Sequence, residues 1–344
     1  MTRPLIALAM GDPAGISPEL TARLVADPEI RNRVRLLVIG DRRVLAMGAS
    51  DAEVNADLPG LNPADYAYPA NYQQLTDHSL LDLGHLDPAQ IQRATVSLAG
   101  GRFALTNFLT ALQTAAASGA DAVCFTPFNK QAMRLARPGY DDEIGVITEA
   151  LQAETDGREF NILDSLWNAR VTSHIALKDV AGALNSARIC EAAVLADRCM
   201  REAGFDAPRI AIAALNPHAG DGGAFGREEI DLIQPAIEQM QAQGISAVGP
   251  VPADTVFVRA RKGEFDAVLT MFHDQGQIAM KLLGFERGVT FLGGYRVPIL
   301  TPAHGTAYDI AGKGIADAKA SRNAILLAAE MAHHRQATAV SSTP

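Results

Sequence analysis

Residues 4–40 have the sequence PLIALAMGDPAGISPELTARLVADPEIRNRVRLLVIG, and this stretch decides the fold class. An apolar run (4–10) is followed by a segment in which apolar residues recur at helical spacing (16–27), and then by a second apolar run (33–40). A strand, a helix and a strand in this order form a βαβ unit, whose two strands lie parallel beneath the helix. The stretch therefore predicts an α/β protein.

The same alternation recurs along the chain. The helical segment 104–119 ends at a glycine and leads into the apolar run DAVCFTP (121–127), and the long segment 179–204 leads in the same way into RIAIAAL (209–215). The pattern predicts largely parallel sheets with helices on both faces. Because 344 residues exceed the roughly 250–300 of a single core, we expect two domains or one domain with a large insertion.

The composition favours small-molecule chemistry. The formal net charge of −9 gives no basis for binding nucleic acid or an anionic membrane surface. The three cysteines, Cys124, Cys190 and Cys199, match neither a zinc ribbon nor a disulfide framework, which favours a cytoplasmic location. The apolar run at the start is too short for a signal peptide or a membrane span, so we expect no membrane association.

Three histidines follow apolar runs in short polar segments: His174 in TSHIAL, His218 in NPHAGDGG and His273 in MFHDQG. Imidazole is the commonest metal ligand near neutral pH, and three ligands from separate strand ends would leave coordination positions open for a substrate. The trio is therefore a candidate catalytic metal site. The alternative is that each is an ordinary hydrogen-bonded histidine at a strand end.

Several other segments could carry chemistry, each with a structural alternative. GDPAGIS (11–17) could present a helix N-terminus to an anion or be a tight turn, and Lys130 in TPFNK could meet a substrate anion or simply start a helix. Asp254 could act in the site or cap a helix, and Asp274 could bind a metal, orient an imidazole or act as a base. The glycine-rich run HGTAYDIAGKGIADA (304–318) predicts a ligand-facing loop.

Together these segments resemble the 4-hydroxythreonine-4-phosphate dehydrogenase family. The resemblance runs from GDPAGISPE through TSHIAL, NPHAGDGGAFGREE, GPVPADTVF and MFHDQG to HGTAYDIAGKG, nearly the whole chain. It implies the isocitrate/isopropylmalate dehydrogenase type of fold, with two α/β/α domains of mostly parallel sheet and an active-site cleft between them. We expect residues 1–135 and 305–344 in the first domain and 136–304, with the histidines, in the second. A homodimer is also implied.

The resemblance further implies roles for individual residues. His174, His218 and His273 become ligands of one divalent metal, commonly zinc, with nickel, cobalt, manganese or magnesium as alternatives. Lys281 is assigned to substrate binding, and Asp254, Asp274 and Lys281 are the candidates for proton transfer. The loop becomes a site for NAD or NADP, with these candidate residues: His304, Gly305, Thr306, Ala307, Asp309, Gly312 and Gly314.

The chain departs from this family where the substrate is bound. Family members usually have Gly-His-Thr-Glu where this chain has Val146 to Glu149, so that Ile147 replaces a histidine and Thr148 is kept. Thr290 and Ile299 stand where an asparagine and an arginine usually face the phosphorylated substrate. A related branch, terephthalate dihydrodiol dehydrogenase, also lacks that arginine and has an arginine in a GGR-like segment; here the segment is GGYR, and Arg296 could bind a carboxylate.

These observations predict a metal- and NAD(P)-dependent dehydrogenase that oxidises a β-hydroxy acid and then decarboxylates it. The substrate would be a 4-phosphorylated hydroxy acid, bound by Lys130, Thr148, Lys281, Thr290 and Arg296. A non-phosphorylated, carboxylated cis-dihydrodiol is the alternative substrate. A metal-dependent hydrolase and a non-catalytic binding protein are the alternatives from other classes, and the glycine-rich loop argues against the hydrolase.

Overall fold

The computed structural model describes residues 3–61 and 69–341. Strands and helices alternate along the chain, so the predicted α/β class is confirmed. The chain forms two compact units. Unit 1 comprises Met1–Arg158 and Val289–Pro344, and unit 2 comprises Glu159–Gly288.

The sheet of unit 1 is parallel except at one edge. Its order is β3-β4-β2-β1-β5-β12-β11, with strands numbered along the whole chain, and among its described strands only the β11–β12 pair is antiparallel. Strands β1 and β2 come from the βαβ stretch and pair in parallel register, as predicted. The strands are β1 Leu5–Ala9, β2 Arg35–Gly40, β3 Gly60–Leu61, β4 Ser79–Asp82, β5 Ala122–Phe125, β11 Val289–Gly293 and β12 Ile299–Pro302.

Polar residues at the helix starts in unit 1 explain where several helices begin. Asp41, Ser97 and Asn129 each accept a hydrogen bond from a backbone N–H in the first turn that follows, which satisfies donors that the helix leaves free. The helices are α1 Ser17–Ala26, α2 Pro28–Arg33, α3 Arg42–Ala52, α4 Leu98–Ala116, α5 Lys130–Ala136, α6 Glu143–Leu151 and α12 Lys319–Ser341.

The sheet of unit 2 has the order β6-β7-β10-β8-β9, and only β6 and β7 pair antiparallel. Buried apolar residues of β8, β10 and α10 form a core, which includes Ala211, Val256 and Val268. The strands are β6 Arg158–Leu163, β7 Leu166–Arg170, β8 Arg209–Ala213, β9 Ser246–Val251 and β10 Ala267–Thr270. The helices are α7 Val180–Ala183, α8 Ser186–Glu202, α9 Gln234–Ala242, α10 Ala253–Arg261 and α11 His273–Gly284.

The division into units differs from the predicted domain boundaries at 135/136 and 304/305. Helix α6 belongs to unit 1, because its Val146, Ile147 and Leu151 lie in one hydrophobic cluster with Val123 and Phe125 of β5. Strand β12 pairs with β5, and β11 pairs with β12, which places both in unit 1 as well. Among the described residues, no helix combines the length and the apolar character that crossing a membrane requires.

Candidate active site

The three histidines of the predicted metal site lie at one edge of the sheet in unit 2. His174 follows β7, His218 follows β8 and His273 follows β10, and β10 lies between the other two strands. Parallel strands end at the same edge, which is where open α/β sheets bind ligands. We call these three residues the histidine edge. His174 and His218 are exposed and His273 is half-buried, so all three side chains reach solvent.

The rings of His174 and His273 lie close together, with their centroids 5.9 Å apart. The parallel register explains this approach, because Arg170 of β7 pairs with Thr270 of β10 and each histidine follows within four residues. Two imidazoles that bind one ion at about 2.1 Å have ring centres about 5–6 Å apart. The pair therefore fits a shared divalent ion.

Asp274 orients the ring of His273. Its Oδ1 lies 2.6 Å from His273 Nδ1, a hydrogen bond in which the carboxylate accepts. This contact leaves Nε2 of the ring for a ligand, as a carboxylate behind a metal-binding histidine usually does. Of the roles considered for Asp274, the geometry favours that of orienting the imidazole.

The histidine edge is not assembled as a complete ligand set. Within residues 3–61 and 69–341, no three His, Cys, Asp or Glu side chains converge closely enough to hold an ion. The His174–His273 pair has the required spacing, and His218 contributes a third imidazole at the same edge. The metal site therefore stays a prediction, supported by a donor set that fits it.

His218 lies in an unusual left-handed turn. The φ angles of residues 218–222 are 53°, 55°, 78°, 44° and 64°, although only two of these residues are glycines. Such angles are unfavourable for other residues and persist only where contacts impose them. Buried Glu229 supplies contacts next to the turn, because it accepts hydrogen bonds from the backbone N–H groups of Leu215 and Asn216.

A buried polar network lies beneath His174 and His273. The Arg170 guanidinium is paired with Glu159 and donates to Asn161 and Ser173, and Gln277 of α11 also donates to Asn161. Burial favours a raised pKa for Glu159, but the charge and hydrogen bond of Arg170 outweigh it and lower that pKa. The network links β6, β7 and α11, two of which lead to or carry a histidine of the edge.

In unit 1, three of the polar segments singled out in the sequence meet at the carboxyl ends of neighbouring strands. Residues 11–17 follow β1, residues 126–130 follow β5 and residues 304–316 follow β12. We call these three segments the loop edge. The backbone N–H of Gly11 donates to Thr126 Oγ1 at 2.9 Å, and the N–H of Ile16 donates to the carbonyl of Thr306 at 3.1 Å. The segments therefore form one packed surface.

Helix α1 holds the glycine-rich loop in place. Glu19 is 1% exposed and accepts a hydrogen bond from the Ala316 N–H at 2.8 Å, while Arg23 donates to the Gly314 carbonyl at 2.7 Å. Arg23 also pairs with Glu19. These contacts fix the far end of the loop.

Asp12 and Tyr308 fix the other end. The Tyr308 hydroxyl donates to Asp12 Oδ2 at 2.5 Å, the Ala14 N–H donates to Asp12 Oδ1, and the Asn129 side chain also hydrogen-bonds to Tyr308. Asp12 is 1% exposed, and burial raises the pKa of its carboxyl group. One residue from each segment of the loop edge thus takes part in a single hydrogen-bonded cluster.

The loop itself presents backbone to solvent. Gly305 is exposed and a side chain there would meet no atom within 4 Å, while Asp309 and Gly312 are also exposed. His304, Thr306 and Ala307 are half-buried, and Ala307 has a left-handed φ of 42°. Exposed glycines in a fixed loop would allow a dinucleotide to lie close to the backbone. The chain lacks the GxGxxG pattern.

Comparison with known protein families shows to which family this chain is related. The family model described as "Pyridoxal phosphate biosynthetic protein PdxA" matches residues 32–328. The chain belongs to this family. The predicted family is confirmed, and so is the prediction of a dehydrogenase that acts on a CH–OH group.

Individual members of the PdxA family cover nearly the whole chain. "Putative 4-hydroxythreonine-4-phosphate dehydrogenase 2" of Rhizobium meliloti (strain 1021) is 58% identical, over 97% of this chain and 95% of its own. The D-threonate 4-phosphate dehydrogenase of Pectobacterium atrosepticum is 36% identical, over 95% and 99%.

Solved structures agree. The 4-hydroxythreonine-4-phosphate dehydrogenase of Klebsiella pneumoniae is 32% identical, with a TM-score of 0.81 over 96% of this chain and 98% of its own. The terephthalate 1,2-cis-dihydrodiol dehydrogenase of Burkholderia xenovorans LB400 is 25% identical, with a TM-score of 0.64 over 95% and 98%.

Four of the five substrate-binding candidates are scattered over unit 1, and the fifth, Lys281, lies in unit 2. Lys130 is exposed at the start of α5, and Arg296 is exposed while its backbone carbonyl accepts a hydrogen bond from Arg335. The Thr148 hydroxyl already contacts Asp156 at 2.9 Å and the Tyr295 hydroxyl at 3.0 Å. Thr290 is half-buried on β11. Their roles in binding stay predictions.

Two of the three residues that replace the usual PdxA substrate contacts are fully buried. Ile147 and Ile299 are both 0% exposed and belong to the hydrophobic core of unit 1. The comparison with the family had suggested that Ile299 lies at the phosphate position, but in this chain it pairs with Val123 inside the sheet. In this structure Ile299 thus contributes to the hydrophobic core of unit 1.

The two remaining candidates for proton transfer lie on exposed helix surfaces of unit 2. Asp254 is in the first turn of α10 and does not cap it, because Pro252 is the N-cap residue and makes no side-chain hydrogen bond. Lys281 lies on α11 about 12 Å along the helix axis from His273, since eight residues separate them. Its ammonium lies 5.8 Å from the ring centroid of Phe285.

Sequence reasoning missed most of the residues that support the two edges. Asp12 and Tyr308 stand inside segments that were singled out, so their position was a signal, but nothing in the sequence pairs them across 296 residues. Glu229 follows NPHAGDGG by only a few residues, and a buried acid so close to a histidine segment was detectable. Arg170, which ends a strand, gave no signal of its own.

Proposed function

We propose that this protein is a divalent-metal- and NAD(P)-dependent dehydrogenase that oxidises the secondary alcohol of a 4-phosphorylated β-hydroxy acid and decarboxylates the product. The observation that carries the proposal is the placement of His174, His218 and His273 at the ends of three adjacent strands, in a chain of the PdxA family. The names of two relatives, which specify 4-hydroxythreonine-4-phosphate and D-threonate 4-phosphate, support a phosphorylated hydroxy acid.

The histidine edge would hold the ion, with zinc proposed first because its preferred ligands include imidazole. A bound divalent ion supplies Lewis-acid polarisation of the substrate oxygen, both as an alcohol and as the ketone that decarboxylates. Asp274 keeps the ring of His273 in the tautomer that leaves Nε2 for the ion. Arg170 and Glu159 support the backbone beside His174 through Ser173.

The loop edge would bind the nicotinamide cofactor, NAD or NADP. Residues 304–316 offer exposed glycine backbone, and Glu19, Arg23 and the Asp12–Tyr308 pair hold that backbone still. A fixed loop loses little conformational freedom when a ligand binds, which favours affinity. Lys130, at the same edge, is proposed to meet an anionic group.

Proton transfer is proposed for Asp254 or Lys281. Asp274 is a weaker candidate, because its carboxylate is committed to orienting His273. Both of the others are exposed and free to meet a substrate group. A proton must be returned to carbon after carbon dioxide leaves, and a positioned acid supplies it.

The proposal includes a homodimer, and helix α11 offers a surface for it. Ile278 and Leu282 lie four residues apart on this helix, Phe285 follows directly after its end, and the three are 61%, 83% and 45% exposed. An apolar stripe of this kind is typical of a protein–protein contact. Sedimentation of the full chain tests it, and a Leu282→Glu variant that sediments like the wild type would contradict a contact through α11.

The catalytic proposal is tested by the absorbance of reduced nicotinamide. The purified protein is given NAD or NADP with 4-hydroxythreonine-4-phosphate, D-threonate 4-phosphate and a carboxylated cis-dihydrodiol, with and without a chelator. We expect reduction on a phosphorylated substrate, and its loss with chelator. Reduction on the dihydrodiol alone would assign the alternative substrate, and substrate hydrolysis without any nicotinamide reduction would overturn the dehydrogenase proposal.

A further inference from the structure

Glu229 is a buried carboxylate that accepts hydrogen bonds from two consecutive residues, Leu215 and Asn216. It is 2% exposed. Its Oε1 accepts from the N–H groups of Leu215 and Asn216 at 2.8 and 2.7 Å, and its Oε2 accepts from Asn216 Nδ2 at 2.9 Å. Charge-assisted bonds of this kind are roughly twice as strong as neutral ones, so this is a firm attachment.

The attached stretch leads directly to His218. Strand β8 ends at Ala213, and the two N–H groups that Glu229 binds belong to the second and third residues after it. Neither group continues the ladder with the neighbouring strands. Glu229 therefore fixes the direction in which the chain leaves the sheet, two residues before the imidazole.

The left-handed turn closes around the same carboxylate. Gly220, at φ 78°, is the point of closest approach, since a Cβ there would lie 2.7 Å from Glu229 Oε2. His218, Ala219 and Asp221 hold positive φ angles that are unfavourable for residues with a side chain. The surroundings must impose such a backbone, and Glu229 is the buried polar group in contact with it.

The element that carries Glu229 is itself irregular. Glu229–Ile233 forms a π-helical turn before α9 begins at Gln234. Turns of this type are rare and occur frequently at functional sites. A left-handed turn and a π-helical turn thus meet at one buried carboxylate.

We propose that Glu229 is a positioning residue: it holds the turn that presents His218 and thereby sets the affinity of the histidine edge for a divalent ion. The inference rests on the proposed function, because it assumes that His218 binds the ion. It adds a group that does not itself touch the ion.

Cobalt(II) provides the test, because its visible absorption changes on binding and reports both the affinity and the coordination geometry. The full-length apo protein is titrated with cobalt(II) as wild type, as Glu229→Gln and as Glu228→Gln. Glu228 is the matched control, since it is half-buried and accepts a hydrogen bond from the Asn216 side chain, at 2.7 Å, instead of from the backbone. We expect about a 10- to 100-fold rise in Kd for Glu229→Gln, the range for groups that support metal ligands, and less than about a 2-fold change for Glu228→Gln.

A double-mutant cycle separates positioning from a general loss of structure. In a His218→Ala background, Glu229→Gln should cause no further loss of cobalt affinity, because the ligand it positions is gone. Equal losses with and without His218, or a wild-type titration for Glu229→Gln, would overturn the inference. Should Glu229→Gln fail to fold, Gly220→Ala, which presses on the carboxylate from the other side, is expected to weaken binding likewise, and a wild-type Kd for it would overturn the inference. A wild-type protein that binds no cobalt would instead overturn the proposed metal site.

Discussion

The histidine edge of unit 2 and the loop edge of unit 1 occupy equivalent places, at the carboxyl ends of adjacent parallel strands, but they are held in different ways. At the loop edge the supporting side chains Asp12 and Glu19 are buried and the backbone of the glycine-rich loop faces solvent. At the histidine edge the side chains themselves face solvent, and two of the three rings make a close pair. The loop edge presents backbone in a fixed conformation, and the histidine edge presents the nitrogen atoms of imidazole rings.

The difference is what the two proposed ligands require. A dinucleotide is recognised over many atoms, so the backbone that meets it has to be fixed before it binds. An ion is bound by a few donor atoms, so the histidine edge presents exposed imidazoles whose own positions are supported from behind. Substitutions of the residues that support the loop edge should therefore lower both the free energy of unfolding and the affinity for the cofactor. Substitutions of the histidines should lower the affinity for the ion and leave the free energy of unfolding nearly unchanged.

The largest effect is expected from His218→Ala. The variant should lose the bound ion and at least about 100-fold in activity, because removing a ligand costs at least as much as removing the group behind it. Its free energy of unfolding should stay within about 0.5 kcal/mol of the wild type, since His218 is exposed. Metal analysis and calorimetry check both statements, with His334→Ala on α12 as control. Full metal content in His218→Ala would show that the trio is not the site.

At the loop edge, alanine substitutions at two glycines are expected to differ in their effect on the free energy of unfolding. Gly314→Ala should lower the free energy of unfolding by about 2–4 kcal/mol, because its φ is 69° and a Cβ would lie 2.4 Å from the Asp51 carbonyl. Gly305→Ala should leave stability unchanged, since its Cβ would enter open space. Isothermal titration of NAD should nevertheless show weaker binding for Gly305→Ala. Unchanged binding there would mean that the cofactor does not approach this backbone.

A buried histidine of unit 1, His78, predicts a pH dependence of the free energy of unfolding. Burial lowers the pKa of His78 to about 4, below the value of about 6.5 in the unfolded chain. The unfolded state therefore takes up a proton first, so this contribution to stability is complete above about pH 6.5 and is lost as the pH falls toward 4. We expect a loss of about 2 kcal/mol between pH 7 and pH 5 in urea titrations.

The control for this prediction is His78→Asn, whose side-chain oxygen can replace Nδ1 as the acceptor for the Leu36 N–H. Its stability should change less over the same pH range. An identical slope in the two proteins would assign the pH dependence to another group.

The smallest effect is expected from Tyr308→Phe. The change removes the hydroxyl that donates to buried Asp12, leaving that carboxylate with the Ala14 N–H, and should cost about 1–2 kcal/mol of stability. NAD affinity should fall with it, while cobalt binding should stay at the wild-type level. A variant that loses cobalt but keeps NAD would reverse the assignment of the two edges.

Much of this arrangement could be predicted from the sequence, because it follows from local patterns. The βαβ stretch at residues 4–40 predicted two parallel strands, and the structure pairs Leu5 with Arg35 in that sense. The rule that parallel strands end at one edge then predicted that His174, His218 and His273 lie at the same edge, without any knowledge of strand order.

What the sequence could not predict depends on contacts between distant residues. The partnership of Asp12 with Tyr308 requires the sheet order, which local patterns do not contain. The boundary near residue 158 depends on helix α6 packing against β5, which its sequence spacing does not specify. The resemblance to the family equated Ile299 with the position of an arginine. Which face of the strand the side chain occupies depends on packing, which the resemblance does not specify.

The burial of Ile299 limits which side chains this position can accept. A guanidinium at that position would have to enter a filled apolar core beside Val123, and an unpaired buried charge costs several kcal/mol. A single Ile299→Arg substitution should therefore destabilise the fold unless other core residues change with it. A cationic side chain that binds the substrate would be tolerated more easily at an exposed residue elsewhere on the molecule.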